Sequence, residues 1–225
     1  MAVILFGLAG CGGGGSNDGG DSSNAHINEA SGSANGVILD ERTGIPPPPV
    51  KDPNLRKAAR DAGCYLLRNL KPEGNKELPP NGPTPEYKED PPTSGPHVRV
   101  PHQQADGAYL VGPEPSAVVA ALDHGRLAIQ YAPDFRESAQ LELKGIFDTM
   151  YGGTLFFPNE TMEFAVAATT WTNLLACTGW EGQKTLDAVR DFGRATWGKY
   201  GSGSLQQFPV EGPTPANPEE PGATK

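Results

Sequence analysis

Few side chains in this sequence could do chemistry, and the histidines are the first candidates. Three of the four histidines, His97, His102 and His124, lie in the central part of the chain. A neutral imidazole can bind a metal ion or act as a general base, so each is a candidate functional residue. Ser94 lies near His97, but no nucleophile-elbow pattern surrounds it. A serine in a stretch rich in proline and glycine is typical of a turn.

The first of the three cysteines predicts a lipid anchor. Leu8-Ala9-Gly10-Cys11 ends a short apolar start and resembles the bacterial lipobox. This resemblance implies that Cys11 is lipidated and attaches an exported protein to the bacterial cell membrane. No Lys or Arg precedes the apolar run, which departs from the usual export signal, and a free Cys11 after a chance apolar start is the alternative. The run itself is too short to span a bilayer, which takes about 20 residues.

The other two cysteines form a candidate pair. With Cys11 assigned to the anchor, Cys64 and Cys177 remain in a domain that is expected to be exported. Export leads to an oxidising compartment, so the sequence predicts a disulfide between them. The alternative is two buried thiols that pack as small apolar side chains. No Cys-x-x-Cys pair is present, which argues against a thiol oxidoreductase.

Composition divides the chain into a folded centre and two flanks. Glycine and proline number 29 and 23, and residues 1–50 and 206–225 combine many of them with acidic side chains. Segments of this composition bury too little apolar surface to fold. We predict a signal-like segment at 1–10, a flexible tether at 11–50, a globular domain at 51–205 and a disordered tail at 206–225.

Apolar periodicity predicts a single α+β domain with a mixed sheet and flanking helices. Asp52-Pro53 opens a helix whose apolar positions recur through Leu70, and residues 71–101 form a long loop with nine prolines. Further helices are predicted at 116–123, 134–150 and 182–200, and strands at 108–111, 126–131, 154–157 and from Glu163 towards Cys177. From Tyr109 the order β-α-β-α-β-β-α also matches a thioredoxin-like fold without its cysteines.

Two strings carry the most specific signal. Residues 87–97 read Tyr-Lys-Glu-Asp-Pro-Pro-Thr-Ser-Gly-Pro-His, and residues 122–131 read Leu-Asp-His-Gly-Arg-Leu-Ala-Ile-Gln-Tyr. Together with Ala62-Gly63-Cys64 before them and Ala167-Ala168-Thr169-Thr170-Trp171, Leu174, Leu175 and Cys177 after them, they resemble the bacterial family of domain of unknown function 3105. The resemblance covers most of residues 55–200 and brings no activity with it.

The resemblance implies a cluster of histidines. We expect members of that family to carry further histidines at the positions of Glu77 and Ala120, in addition to His97 and His124. Clustered imidazoles suit copper or zinc, and Met162 could add a soft thioether ligand for copper(I). The alternative is structural: His97 caps a rigid proline-rich turn, and His124 satisfies buried backbone groups.

Three hypotheses about function follow. The leading one is a lipid-anchored, extracytoplasmic protein of the cell envelope that acts as a non-enzymatic binding or structural module. The second is a copper- or zinc-binding envelope protein that uses His97 and His124, with Met162. The third is a hydrolase with His124 as general base, for which the sequence offers no convincing nucleophile. The net charge of −9 argues against a nucleic-acid partner, since phosphate neutralisation needs a basic surface.

Overall fold

The computed structural model describes residues 38–50, 53–80, 82–99, 102–150 and 152–201. The predicted anchor at Cys11, most of the predicted tether and the predicted tail at 206–225 lie outside these residues. Within them, no helix combines the length and the apolar character that crossing a membrane would require.

The described residues contain four α-helices and eight β-strands. In chain order they are α1 (Leu55–Asp61), β1 (Cys64–Leu67), β2 (Glu77–Leu78), β3 (His97–Val98), β4 (Gly107–Ala108), α2 (Pro115–Asp123), β5 (Leu127–Tyr131), α3 (Glu137–Met150), β6 (Thr154–Pro158), β7 (Val166–Thr170), β8 (Asn173–Cys177) and α4 (Gln183–Thr196).

Six of the strands form one mixed sheet in the order β1-β8-β7-β5-β6-β4. Strands β4, β6 and β5 are parallel, whereas β5, β7, β8 and β1 pair in antiparallel fashion. The short strands β2 and β3 pair separately in parallel. This confirms the predicted single α+β domain with a mixed sheet. Beginning at β4, the observed order is β-α-β-α-β-β-β-α, which has one strand more than the predicted order because the strand predicted from Glu163 towards Cys177 is divided into β7 and β8.

Helices cover both faces of the sheet, which explains why the residues of β5 and β6 do not alternate between buried and exposed. On one face, Ile129 and Phe156 pack with Leu143 of α3 and Phe192 of α4. On the other face, Leu155 packs with residues of α2 and with Trp171. All five residues of β5 and all five of β6 are buried.

The first helix is shorter than predicted, and the prediction that it extends through Leu70 is wrong. Asn54 caps its start, accepting a hydrogen bond from the Lys57 N–H at 3.0 Å. After its end, Gly63 turns the chain in a left-handed conformation with a φ of +66°. The next four residues are strand β1, whose Leu66 pairs with Leu175 of β8. Leu66 fits the helical spacing of apolar residues, but its pairing with a strand distant in sequence outweighs that local preference.

Residues 38–50, which their composition placed in the tether, pack against the sheet and α3. Leu39 forms an antiparallel bridge with Tyr109, and the Asp40 N–H donates to the carbonyl oxygen of Ala108 at 2.8 Å. Further along, the Gly44 N–H donates to Asp148 Oδ2 at 2.6 Å. The packed part of the chain thus begins before residue 51, and this segment covers the edge of the sheet at β4.

Candidate functional site

The predicted cysteine pair is present as a disulfide. Cys64 of β1 and Cys177 of β8 lie opposite each other in the antiparallel register, with their Cα atoms 4.0 Å apart. The bond ties the outermost strand of the sheet to its neighbour. Cys177 is buried, whereas Cys64 is partly exposed.

The proline-rich string 91–97 is packed inward and held by hydrogen bonds from three parts of the chain. Ser94 Oγ accepts from the Glu73 N–H at 3.1 Å, and the Tyr87 hydroxyl donates to the carbonyl oxygen of Pro96 at 2.7 Å. The carbonyl oxygen of Thr93 accepts from the Thr172 N–H at 2.9 Å. Ser94 therefore has the structural role of a turn residue, as its surroundings predicted.

The proline-rich string contacts a tight turn between β7 and β8. The sequence predicted one strand running from Glu163 towards Cys177, but the chain reverses at Trp171-Thr172, where Thr172 has a φ of +61°. The Thr172 carbonyl accepts from the Leu70 N–H at 3.0 Å, while its N–H binds the proline-rich string. Through these two hydrogen bonds, the turn connects Leu70 and the proline-rich string to the sheet.

His97 lies buried under this string. Its Nδ1 is 2.8 Å from the carbonyl oxygen of Gly95, which can only accept, so Nδ1 carries the proton. The ring meets Trp171 edge-on at 5.8 Å between centroids. Its Nε2 lies 3.9 Å from Asp123 Oδ2, within ion-pair distance when the imidazole is protonated. The Asp123 carboxylate therefore lies beside the ring of His97.

His124 is the buried C-cap residue of α2. Its backbone N–H bonds to Ala120 and Ala121, and its Nδ1 bonds to the side-chain oxygen of Gln103. Burial lowers the pKa of His124 to about 4; Asp123 opposes the shift, and Arg126 contributes to it. The imidazole is accordingly neutral at physiological pH. Its hydrogen bond to Gln103 connects α2 to the loop before β4.

Beside it lies a buried ion pair that sequence reasoning missed. Arg126 is fully buried, and its Nε and Nη2 donate to the two carboxylate oxygens of Asp106 at 3.1 and 3.4 Å. Its Nη1 donates to the carbonyl oxygen of His124 at 3.1 Å. The quoted string already contained Arg126, but Asp106 precedes it by 20 residues in a loop without periodicity, so no local signal pairs the two.

The structure brings His97 and His124 close to the same carboxylate, that of Asp123. Met162 is buried in an apolar cluster with Ala167, Leu174 and Ala176. Across the described ranges, no group of three or more His, Cys, Asp or Glu side chains could hold a metal ion. The copper or zinc set of His97, His124 and Met162 stays a prediction.

The two positions where the family resemblance implies further histidines lie next to these rings. Glu77 of β2 is the register partner of His97 in β3, and Ala120 lies one helical turn before His124. Glu77 is exposed and Ala120 is fully buried in a small cluster with Val98. His102 is half-buried and makes a backbone turn with Arg99. In this chain, an exposed carboxylate and a buried methyl group thus stand at these two positions.

A cleft of about 180 Å³ lies at the carboxyl ends of the parallel strands β5 and β6. Its apolar wall includes Val118 of α2 and Phe157 of β6, and Pro92 of the proline-rich string closes one side. Ligands of open sheets with parallel strands bind at this edge, where the strands end and the following helices or loops diverge.

The polar rim of the cleft carries negative charge. Asp90 and Glu160 line it, and two further lining residues are joined by a hydrogen bond, in which Asn159 Nδ2 donates to Gln130 Oε1 at 2.8 Å. Burial, and to a lesser extent the Glu163 carboxylate, raises the pKa of Asp90. Among the described residues, the lining includes no Lys, Arg or His.

These features define an α+β domain in which a proline-rich loop is locked onto a mixed sheet by buried histidine contacts. The chain belongs to the DUF3105 family, described as protein of unknown function, whose model matches residues 81–201. The match contains the string 87–97, the His124 string and the turn at Trp171. No curated protein and no solved structure matches the chain.

The depressed pKa of His124 predicts a stability that depends on pH. The denatured chain, in which the pKa of His124 is near 6.5, binds this proton more readily than the folded protein, in which the pKa is about 4. The contribution of His124 to the free energy of unfolding is thus fully present above pH 6.5. It falls by about 3 kcal/mol as the pH is lowered towards 4. Urea unfolding between pH 7 and 4 should show this loss and a flatter profile for His124→Gln. An unchanged slope in His124→Gln, or an equal flattening in the half-buried control His102→Gln, would contradict the assignment.

Proposed function

We propose that this protein is a lipid-anchored, extracytoplasmic binding module of the cell envelope, without enzymatic activity, and that the cleft at the end of β5 and β6 is its binding site. The observation that carries the proposal is the way the cleft is built. Its walls come from the proline-rich loop, from α2 and from two parallel strands, and these parts are locked together by buried contacts.

The buried histidines support a binding rather than a catalytic role. His97 and His124 each direct Nδ1 to an oxygen acceptor within the protein, and both rings are less than a tenth exposed. A general base must reach the proton of a substrate or of an attacking water. Rings buried in this way instead hold the loop and α2 in place, and so preserve the shape of the cleft.

The disulfide supports an extracytoplasmic location. Structural disulfides persist in oxidising compartments, and Cys64–Cys177 joins two strands in the body of the domain. This agrees with the lipobox resemblance at Cys11. The proposal thus combines an anchor, a linker and a domain that is held away from the membrane surface.

The charge of the cleft favours a small ligand with an amine and an apolar body. Asp90 and Glu160 offer carboxylates at the rim, whereas Val118 and Phe157 offer apolar surface inside. A cavity of about 180 Å³ suits a molecule of a few carbon atoms or the end of a longer side chain.

A fragment series tests this binding site. Ligand-observed NMR of the full chain is recorded with amines, alcohols and carboxylic acids of about four to six carbons. We expect the amines to bind most strongly and to lose binding in the cleft-filling variant Val118→Phe. The matched control Ile45→Phe, on an exposed side chain, should retain binding. Equal binding by both variants would place the fragments elsewhere and reject the cleft.

The proposed anchor gives a separate prediction. Cys11→Ser removes the only thiol that the lipobox resemblance assigns to lipid, so the variant should move from the membrane fraction to the soluble fraction. Immunoblotting of fractionated cells measures the distribution, with Cys64→Ser as a control that should stay membrane-bound. Retention of Cys11→Ser on membranes would contradict lipidation.

A further inference from the structure

We propose that the outer edge of strand β1, together with helix α1, binds an extended acidic segment of a partner protein by adding it as a further strand of the sheet. The two edges of the six-stranded sheet differ. The segment at Leu39 lies along β4, whereas β1 ends the sheet on the other side with no further strand among the described residues. This surface is independent of the cleft and of the function proposed for it.

The hydrogen-bond pattern shows which backbone groups β1 presents. The Ala165 N–H donates to the Cys177 carbonyl at 3.0 Å, so the backbone groups of Cys177 face β7 rather than β1. Cys64 and Cys177 are therefore a non-hydrogen-bonded pair, in agreement with their short Cα separation of 4.0 Å. Because the pattern alternates, the N–H and C=O groups of Cys64 and Leu66 point towards the open edge.

The side chains beside this edge have two different characters. Tyr65 and Leu67 are exposed by 61% and 42% on one face of β1, and Tyr65 meets the ring of Phe164 edge-on. Cys64 and Leu66 pack on the other face against the core, towards α1. An incoming strand would therefore meet apolar surface on one face and α1 on the other.

On the α1 side the edge is positively charged. An open groove of about 630 Å³ between α1 and β1 is lined by Arg56, Arg60 and Arg68, and no carboxylate is among its lining residues in the described part of the chain. Arg56 and Arg60 are four residues apart, so they lie on one face of the helix. Within the described ranges, none of the three forms a salt bridge.

Charge decides between the candidate occupants. A second copy of the chain, paired edge to edge, would bring two sets of these arginines together. An extended segment with acidic residues on one face and apolar residues on the other satisfies all three features: the backbone groups, the exposed Tyr65 and Leu67, and the guanidinium groups. Strand addition of this kind takes its affinity from main-chain hydrogen bonds and its specificity from alternate side chains. The disulfide between Cys64 and Cys177 holds β1, the strand with which the segment would pair, in position.

The test uses fluorescence anisotropy of the full chain with a labelled peptide of four Glu-Val repeats. We expect saturable binding that weakens with salt, and no binding of the Lys-Val repeat or of a peptide with the same residues in two blocks. Arg56→Glu/Arg60→Glu should weaken binding by about tenfold or more, because two ion pairs become repulsive contacts. The control Arg99→Glu/Arg136→Glu, with the same change of charge on exposed arginines elsewhere, should bind normally.

Methylated peptides test the backbone pairing without changing the protein. Methylating the backbone nitrogens of all Glu residues removes the donors on one edge of the peptide strand, and methylating those of all Val residues removes the other edge. Strand addition predicts that only one of the two peptides loses binding. Equal effects of both, no difference between the two double variants, or no binding of the Glu-Val peptide would overturn the proposal. A dimer in sedimentation, or binding to phosphatidylglycerol vesicles alone, that Arg56→Glu/Arg60→Glu abolishes would assign the surface to another occupant and also overturn it.

Discussion

Asp106→Ala should lower the free energy of unfolding by about 3–5 kcal/mol, one of the two largest effects that the structure predicts. The guanidinium of Arg126 is fully buried, and Asp106 accepts two of its hydrogen bonds. Without that carboxylate, the buried positive charge of Arg126 loses the anion that accepts two of its hydrogen bonds. Urea unfolding followed by tryptophan fluorescence measures the loss.

The physical cause of this loss can be separated from a simple loss of packing. If an uncompensated charge is responsible, the double variant Asp106→Leu/Arg126→Met should recover most of the stability, because both charges are then removed. Asp61→Ala, which removes the exposed partner of Lys57, is the control and should change stability little. A double variant as unstable as Asp106→Ala would contradict the charge argument.

Cys64→Ser/Cys177→Ser should have an effect of similar size. The bond links residues 113 apart in sequence, and closing a loop of that length is expected to stabilise the fold by about 4–5 kcal/mol in the chain-entropy account. Thermal and urea unfolding of the double variant should shift accordingly. The variant should also expose the β1 edge to fraying, since the bond joins that strand to β8.

Reduction of the wild-type protein provides the matched control for this prediction. Dithiothreitol should destabilise the wild-type chain and leave Cys64→Ser/Cys177→Ser unchanged. Mass spectrometry after alkylation under denaturing, non-reducing conditions should find neither Cys64 nor Cys177 labelled. Labelling of both cysteines, or a wild-type unfolding curve that is insensitive to the reductant, would contradict the bond.

Much of the fold could be predicted because its central elements carry strong local patterns. Strands β5 and β6 are short, mostly apolar segments, and helices α2, α3 and α4 carry apolar residues at helical spacing. The cysteine pair followed from the number of cysteines and the expected compartment. These features depend on residues near one another in sequence, or on counting.

The candidate site was predicted only in part. The sequence singled out His97 and His124 as candidates, but their contacts with Gly95 and Gln103, and the position of Asp123 beside His97, follow from the packing of the loop on α2. The cleft likewise depends on four segments that meet only in the folded chain. A long loop without periodicity gives no sign of which side chains it will bury.

By itself, the sequence determined the family, the α+β class, the order of the elements from β4 to β6 and the cysteine pair. Only the tertiary structure decided that the helical periodicity through Leu66 gives way to strand β1, that residues 38–50 cover the β4 edge, and that Asp106 neutralises Arg126. The physical reason is the same in each case. Helical spacing, turn residues and apolar runs act locally, whereas strand partners and buried ion pairs are selected by contacts between residues far apart in the chain.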